Sequence, residues 1–155
     1  MSFRLRTATM LAATVALLSA GCAASGPSPA SVSAGFAGKP YVLLGEVHDN
    51  AAGQRQRLAA LTRAVEQGWR PAIAMEQFDR ERQPDIDRAR KERPTDADYL
   101  IAQAGGGAWQ WPLYRPLVAL ALQYDLPLVA ANLSRAACAA SMPGSIALGK
   151  LPQWP

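Results

Sequence analysis

The chain has 155 residues, 50% of them hydrophobic and 18% charged, with a formal net charge of +4. That length fits one domain, and the composition excludes a disordered, collagen-like or disulfide-scaffolded protein. A polytopic membrane protein is excluded as well, since no apolar run reaches the roughly 18–20 residues that span a bilayer, and a charge this small and scattered gives no argument for nucleic acid as a partner. Alanine supplies 31 of the residues, so large apolar side chains are fewer than the hydrophobic fraction implies.

The first 21 residues have the layout of an export signal. Arg4 and Arg6 form a basic start, Thr7 to Leu18 is uncharged and apolar, and the small residues Ser19, Ala20 and Gly21 precede Cys22. A Cys at that point resembles a bacterial lipoprotein signal, in which the Cys is acylated (palmitate among the chains) and becomes the new N-terminus. The plainer alternative is an ordinary secretory signal with a chance Cys. Without Arg4 and Arg6, 16 basic residues fall to 14 against 12 acidic ones, a net of +2. With Cys22 lipidated, no disulfide staples the fold. Cys138, in the run AACAA, then reads as a small buried apolar residue. Residues 22–38 continue as AASGPSPASVSAGFAG after Cys22, uncharged and small, and read as a flexible tether without structure.

From residue 39 to 155 the pattern is that of one α/β domain. Tyr41-Val42-Leu43-Leu44 is apolar at every position, which suits a strand buried on both faces. Asp49 or Asn50 caps a helix that carries Leu58, Leu61 and Val65 on one face and stops at Gly68, before Pro71. Pro71 to Met75 is a second strand, completing a right-handed βαβ unit. Asp79 to Asp98 is highly charged and broken by Pro84 and Pro94, which reads as one or two solvated helices inserted over the sheet edge. Gly105-Gly106-Gly107 is a joint. Trp109 to Pro116 concentrates aromatic residues between prolines, and a helix follows with Leu117, Leu120, Ala121 and Tyr124 on one face. Leu126 to Ala131 is a third buried strand, with Pro127 near its start.

The tail from Ala139 holds Pro143, Gly144, Gly149, Pro152 and Pro155 and shows no fourth strand. The expected fold is therefore α/β, a mostly parallel sheet in βαβ units with an inserted helical segment, and incomplete. A truncated protein and a domain whose sheet edge a partner covers both agree with that.

In an open parallel sheet, ligands bind beyond the carboxyl ends of the strands. Strand one ends in Gly45-Glu46-Val47-His48, strand two in Glu76-Gln77, strand three in Asn132 with Arg135 close behind. Parallel pairing brings Glu46, His48, Glu76 and Asn132 to one edge. Glu46 and His48, two apart, point the same way in an extended segment, and Gly45 lets backbone approach a ligand. His48 is the only histidine. Each residue has a plain alternative: a surface histidine, a helix-capping Glu76, a turn-forming Asn132. Two carboxylates and an imidazole suit a metal, acid–base work or a polar ligand, and spacing does not choose among them.

Four blocks, LLGEVHDN, AMEQFDR, W-x-x-Y-R-P and LPLVAANLSR, occur in that order between Pro40 and Arg135. Together they resemble the ChaN-like haem-binding lipoprotein family, within the group that includes the Tiki proteases, the TraB-like proteins and the erythromycin esterases. The resemblance implies an α/β sheet with a helical insert and haem binding at the bacterial surface linked to iron uptake. It also implies dimerisation on haem, with a Tyr as iron ligand and a His as its hydrogen-bonding partner. Gly45, Glu46 and His48 match the first block, Glu76 the second, Tyr114 and Arg115 the third, Asn132 and Arg135 the fourth. The resemblance makes Tyr114 the local candidate for iron, Arg115 a propionate partner, and Trp109 and Trp111 either stacking or core residues. The family extends well beyond Pro155.

Three readings follow. One is a non-enzymatic haem-binding lipoprotein of the bacterial envelope, anchored through Cys22 to the outer membrane and facing periplasm or surface, possible as a homodimer. Another is a hydrolase of peptides or esters using Glu46, His48 and Glu76, with or without a divalent metal. The last is a truncated remnant with neither activity.

Overall fold

A computed structural model of the chain describes residues 27–134 and Cys138. Helix α1, Pro29–Ala34, opens with a proline in its first turn and with the Ser28 hydroxyl accepting from the Ser31 N–H at 3.1 Å. Helix α2, Ala51–Glu66, is capped by Asn50, whose Oδ1 accepts from the N–H groups of Ala52 and Gly53 at 3.1 and 3.0 Å. It stops before Gly68, which adopts φ +98°, a conformation that costs glycine little and other residues much. Both ends lie where the capping signals put them.

Strand β1 spans Ile73–Asp79, and a single 3-10 turn, Arg80–Arg82, leads into helix α3, Gln83–Glu92. Helix α4, Ala97–Ala104, starts at Asp96, whose Oδ1 accepts from the Tyr99 N–H at 2.9 Å. Helix α5, Trp111–Gln123, precedes strand β2, Leu128–Asn132. The strands are parallel, in register from Ile73↔Leu128 to Met75↔Ala130, with a slip before Asp79↔Asn132. None of the described helices is long and apolar enough to cross a membrane.

The charged stretch after β1 is helical, as expected, and Pro94 lies in the break between α3 and α4. Pro84 acts differently: it sits in the first turn of α3, as Pro112 does in α5, where a missing N–H costs nothing because no acceptor precedes it. These two start helices instead of breaking them. Pro116 lies inside α5.

Two apolar clusters hold the fold. The larger joins both strands to α3, α4 and α5 through Phe78, Ile86, Leu100, Tyr114, Val118 and Leu126, all nearly inaccessible. Each such side chain contributes about 1.5–3 kcal/mol on burial. The smaller joins Phe36, Leu61 and Leu120, and Leu117 of α5 and Tyr124 just after it pack against both.

The outer edge of β2 is covered by a side chain. The Gln83 amide donates to the Leu128 carbonyl at 3.1 Å and accepts from the Ala130 N–H at 2.8 Å, so it stands in for a neighbouring strand. Arg90 donates to the Leu126 carbonyl at 2.5 Å.

The structure differs from the sequence reading in two places. The described sheet has two strands, not three. Residues 41–47 are extended, but among the described residues no backbone hydrogen bond joins them to β1. Only one face of the segment is covered: Tyr41 and Leu43 are 87% and 95% exposed, whereas Val42 and Leu44 are half-buried. Within the segment expected to be a structureless tether, Pro29–Ala34 form α1, and the turn after it buries Phe36 against α2 and Trp69, ring centroids 5.2 Å apart. The signal segment, Cys22 and Arg135 lie outside the described residues, and Cys138 is half-buried.

Candidate functional site

Glu46 is the hub of the site. It ends the extended segment and is 13% exposed, surrounded by donors from three other elements. Its Oε1 accepts from His48 Nδ1 at 2.8 Å, from the Tyr114 hydroxyl of α5 at 3.0 Å and from Gln77 Nε2 of β1 at 3.1 Å. Its Oε2 accepts from Gln54 Nε2 of α2 at 3.2 Å and from the Arg57 guanidinium, which also bonds Gln54. Burial pushes the Glu46 carboxyl up, but the hydrogen bonds and charge of Arg57, with His48 and Gln54, outweigh it and hold the pKa below the ordinary value of 4.5. The carboxylate therefore stays ionised.

The tautomer of His48 follows from that contact. A carboxylate oxygen accepts, so Nδ1 carries the proton and a neutral ring leaves Nε2 as a bare lone pair. The side chain is 56% exposed, and Nε2 faces Glu76 Oε1 at 3.6 Å. Trp109 meets the ring edge-on, centroids 5.0 Å apart at 89°. Tyr114, in contrast, is 2% exposed. Its hydroxyl lies 3.4 Å from His48 Nδ1 and donates to Glu46. Burial, then the hydrogen bond to and charge of Glu46, raise its pKa above the ordinary phenol value.

A cavity of about 1040 Å³ opens between the extended segment and β1. Val42, Leu44, Leu58, Leu61, Met75 and Leu117 give it apolar walls, while Glu46, His48, Glu76 and Tyr114 also line it. Lys39, Arg57 and Arg70 add positive charge. Arg70 bonds the carbonyls of Val65 at 2.6 Å and Trp69 at 3.0 Å.

The residues picked out from sequence divide by position. Glu46, His48, Glu76 and Tyr114 come together, and Gly45 lines the same cavity, with open space where a Cβ would stand. Asn132 donates to Asp79 Oδ1 at 2.6 Å, at the carboxyl ends of both strands, with no hydrogen bond to the Glu46 group among the described residues. Arg115 points to Asp98, which it engages through two 2.6 Å bonds. That charge pair lowers the Asp98 pKa and raises that of Arg115. Trp111 packs on Phe78 and donates to the Gly106 carbonyl at 2.8 Å, a core position.

Gln54, Arg57 and Gln77 were not among the residues singled out. Gln77 had a signal: strand alternation turns it to the face opposite Glu76, and it is 4% exposed while its neighbour is not. Gln54 and Arg57, three apart on α2, face the same way, but nothing local shows that Glu46 is what they meet.

Compared with known protein families, residues 32–153 match the family described as haem-binding uptake, Tiki superfamily, ChaN, and the chain belongs to that family. Comparisons with curated proteins and with solved structures find no match.

Proposed function

We propose that this member of the haem-binding uptake family binds haem in the cavity between the 41–46 segment and β1. The observation that carries the reading is the joining, in one space, of apolar walls, cationic side chains and a half-exposed imidazole. Those are the needs of a porphyrin: a dry flat face, counter-charges for two carboxylates and an axial donor. Lys39 and Arg70 are the cations for the carboxylates, while Arg57 is held by Glu46. The cavity volume suits a ligand of that size. Bound haem would supply a ligandable iron, and the chain's own residues hold and shield it.

The wider reading is a lipoprotein of the bacterial envelope, anchored through Cys22 and serving haem or iron uptake, with a second copy joining on haem. The signal-like first 21 residues support the anchoring, and the family description supports the uptake role. Titrating the full chain with ferric haem should give a saturable Soret band, and metabolic labelling with palmitate should mark Cys22. Unsaturable uptake would defeat the haem reading, and unlabelled protein the anchoring.

One observation favours a second reading. Ligand atoms of Glu46, His48 and Glu76 lie within 4.8 Å of one another, a spacing that a divalent cation could bridge. A metal there would activate water for hydrolysis of a peptide or ester. Calorimetry with zinc or manganese, with hydrolysis assayed beside it, decides: no binding and no turnover eliminates that reading.

A further inference from the structure

We infer that the cavity reads its ligand by its carboxylates, and that Arg70 holds them at the end of the cavity remote from His48. The inference rests on the haem reading and goes beyond it. It fixes which way round a porphyrin lies, and it widens the ligand class to free-acid porphyrins with or without iron.

The cavity is a slot pinned at both ends. At one end the ring of Phe36, before the extended segment, lies 5.2 Å from that of Trp69, before β1. At the other end Glu46 accepts from Gln77 at 3.1 Å. The segment and β1 therefore run the same way, with the apolar walls between their ends. Residues 41–46, extended, reach about 20 Å, long enough for a macrocycle to lie lengthwise.

The two ends differ in charge. Lys39 and Arg70 stand where the segment and β1 begin, and neither has an ion pair among the described residues. Glu46 and Glu76 stand where they finish, and Arg57 there is already held by Glu46. Ligand carboxylates at that end would face two carboxylates of the protein. At the other end they meet cations alone, and between apolar walls that difference sets the orientation.

Arg70 is fixed before any ligand arrives. Its Nη1 donates to the carbonyls of Val65 at 2.6 Å and Trp69 at 3.0 Å, and its guanidinium carbon lies 5.5 Å from the centre of the Tyr124 ring. Those contacts use one nitrogen. Nε and Nη2 make no hydrogen bond among the described residues. A guanidinium offers its N–H groups as a rigid fork that matches a carboxylate with two bonds, and a fork already held loses less entropy on binding. Lys39, a point charge on a flexible stem, adds attraction without that geometry.

The test uses metal-free protoporphyrin, whose binding needs no iron ligand, and its dimethyl ester, whose propionates carry no charge. The full chain, in one detergent throughout, is titrated with both and with ferric haem, followed by porphyrin fluorescence and the Soret band. Wild type should bind the diacid saturably and the diester at least about tenfold more weakly. Arg70→Gln should lose most of that preference and Arg70→Lys should keep part of it. Arg63→Gln, an exposed residue of α2 outside the cavity lining, should leave it unchanged. Equal binding of diacid and diester by wild type would overturn the inference while leaving haem binding intact. So would an Arg70→Gln protein that keeps the preference, or one that weakens both ligands equally, as a merely structural Arg70 requires. Saturable uptake of haem without uptake of the metal-free diacid would overturn it as well. Wild-type protein with no saturable haem uptake would overturn the haem reading and this inference with it.

Discussion

Glu46 shows how much one side chain gathers. Five donors converge on its two oxygens: His48 close by in the chain, Gln54 and Arg57 from α2, Gln77 from β1 and Tyr114 from α5. A consequence follows for pH. A carboxyl whose folded pKa is depressed contributes stability that is present above its unfolded pKa and lost as pH falls through the folded value. For Glu46 that loss begins below the ordinary 4.5. Glu46→Gln removes the titration, so the melting temperatures of variant and wild type should converge as pH falls below that value. Parallel curves from neutral pH to pH 3 would show that Glu46 contributes no such linkage.

At the scale of elements, the edges of the small sheet behave differently. β2 is closed by the Gln83 amide, whereas β1 faces the cavity. Gln83→Ala leaves the Ala130 N–H and the Leu128 carbonyl without those partners. It should cost about 1–3 kcal/mol in denaturant melts and speed exchange of the Ala130 amide. An unchanged exchange rate would mean that solvent or another group serves that edge equally well. The joint between α4 and α5 is tighter. A Cβ at Gly105 would come within 2.6 Å of both the Ile101 carbonyl and the Trp111 ring. Gly105→Ala should therefore destabilise by about 1–3 kcal/mol through displacement of Trp111, readable as a changed tryptophan emission. Wild-type stability and emission would show that the joint relaxes freely.

Over the whole molecule, α5 is the common wall. Leu117 and Tyr124 touch both apolar clusters, and Leu120 faces one while Val118, Ala121 and Leu122 face the other. Clusters sharing a helix cannot lose it separately, so a single cooperative transition is expected, with tryptophan fluorescence and far-UV circular dichroism coincident. Transitions that separate by probe would show that the α1–α2 cluster melts on its own.

Local signals located most of the elements. Asn50 and Gly68 mark both ends of α2, and the apolar runs at 71–75 and 126–131 overlap the parallel strands, because caps and hydrophobic period act over a few residues. Glu46, His48 and Glu76 were legible as site residues because parallel pairing is expected to bring strand ends together, and Tyr114 through the resemblance to the family. What stayed hidden depends on distant partners. Composition made Tyr41–Leu44 look like a strand, but pairing is decided by whether a neighbouring edge lies within hydrogen-bonding distance, and there the cavity intervenes. Gln77 and Gln54 read as ordinary polar residues until Glu46 stands between them, 31 and 8 residues away. The sequence by itself determined the α/β class, the helix ends and the residue types available for iron. Only the tertiary structure decided that Glu46 orients His48 and that Tyr114 is enclosed, because burial and hydrogen-bond geometry belong to the packed chain as a whole.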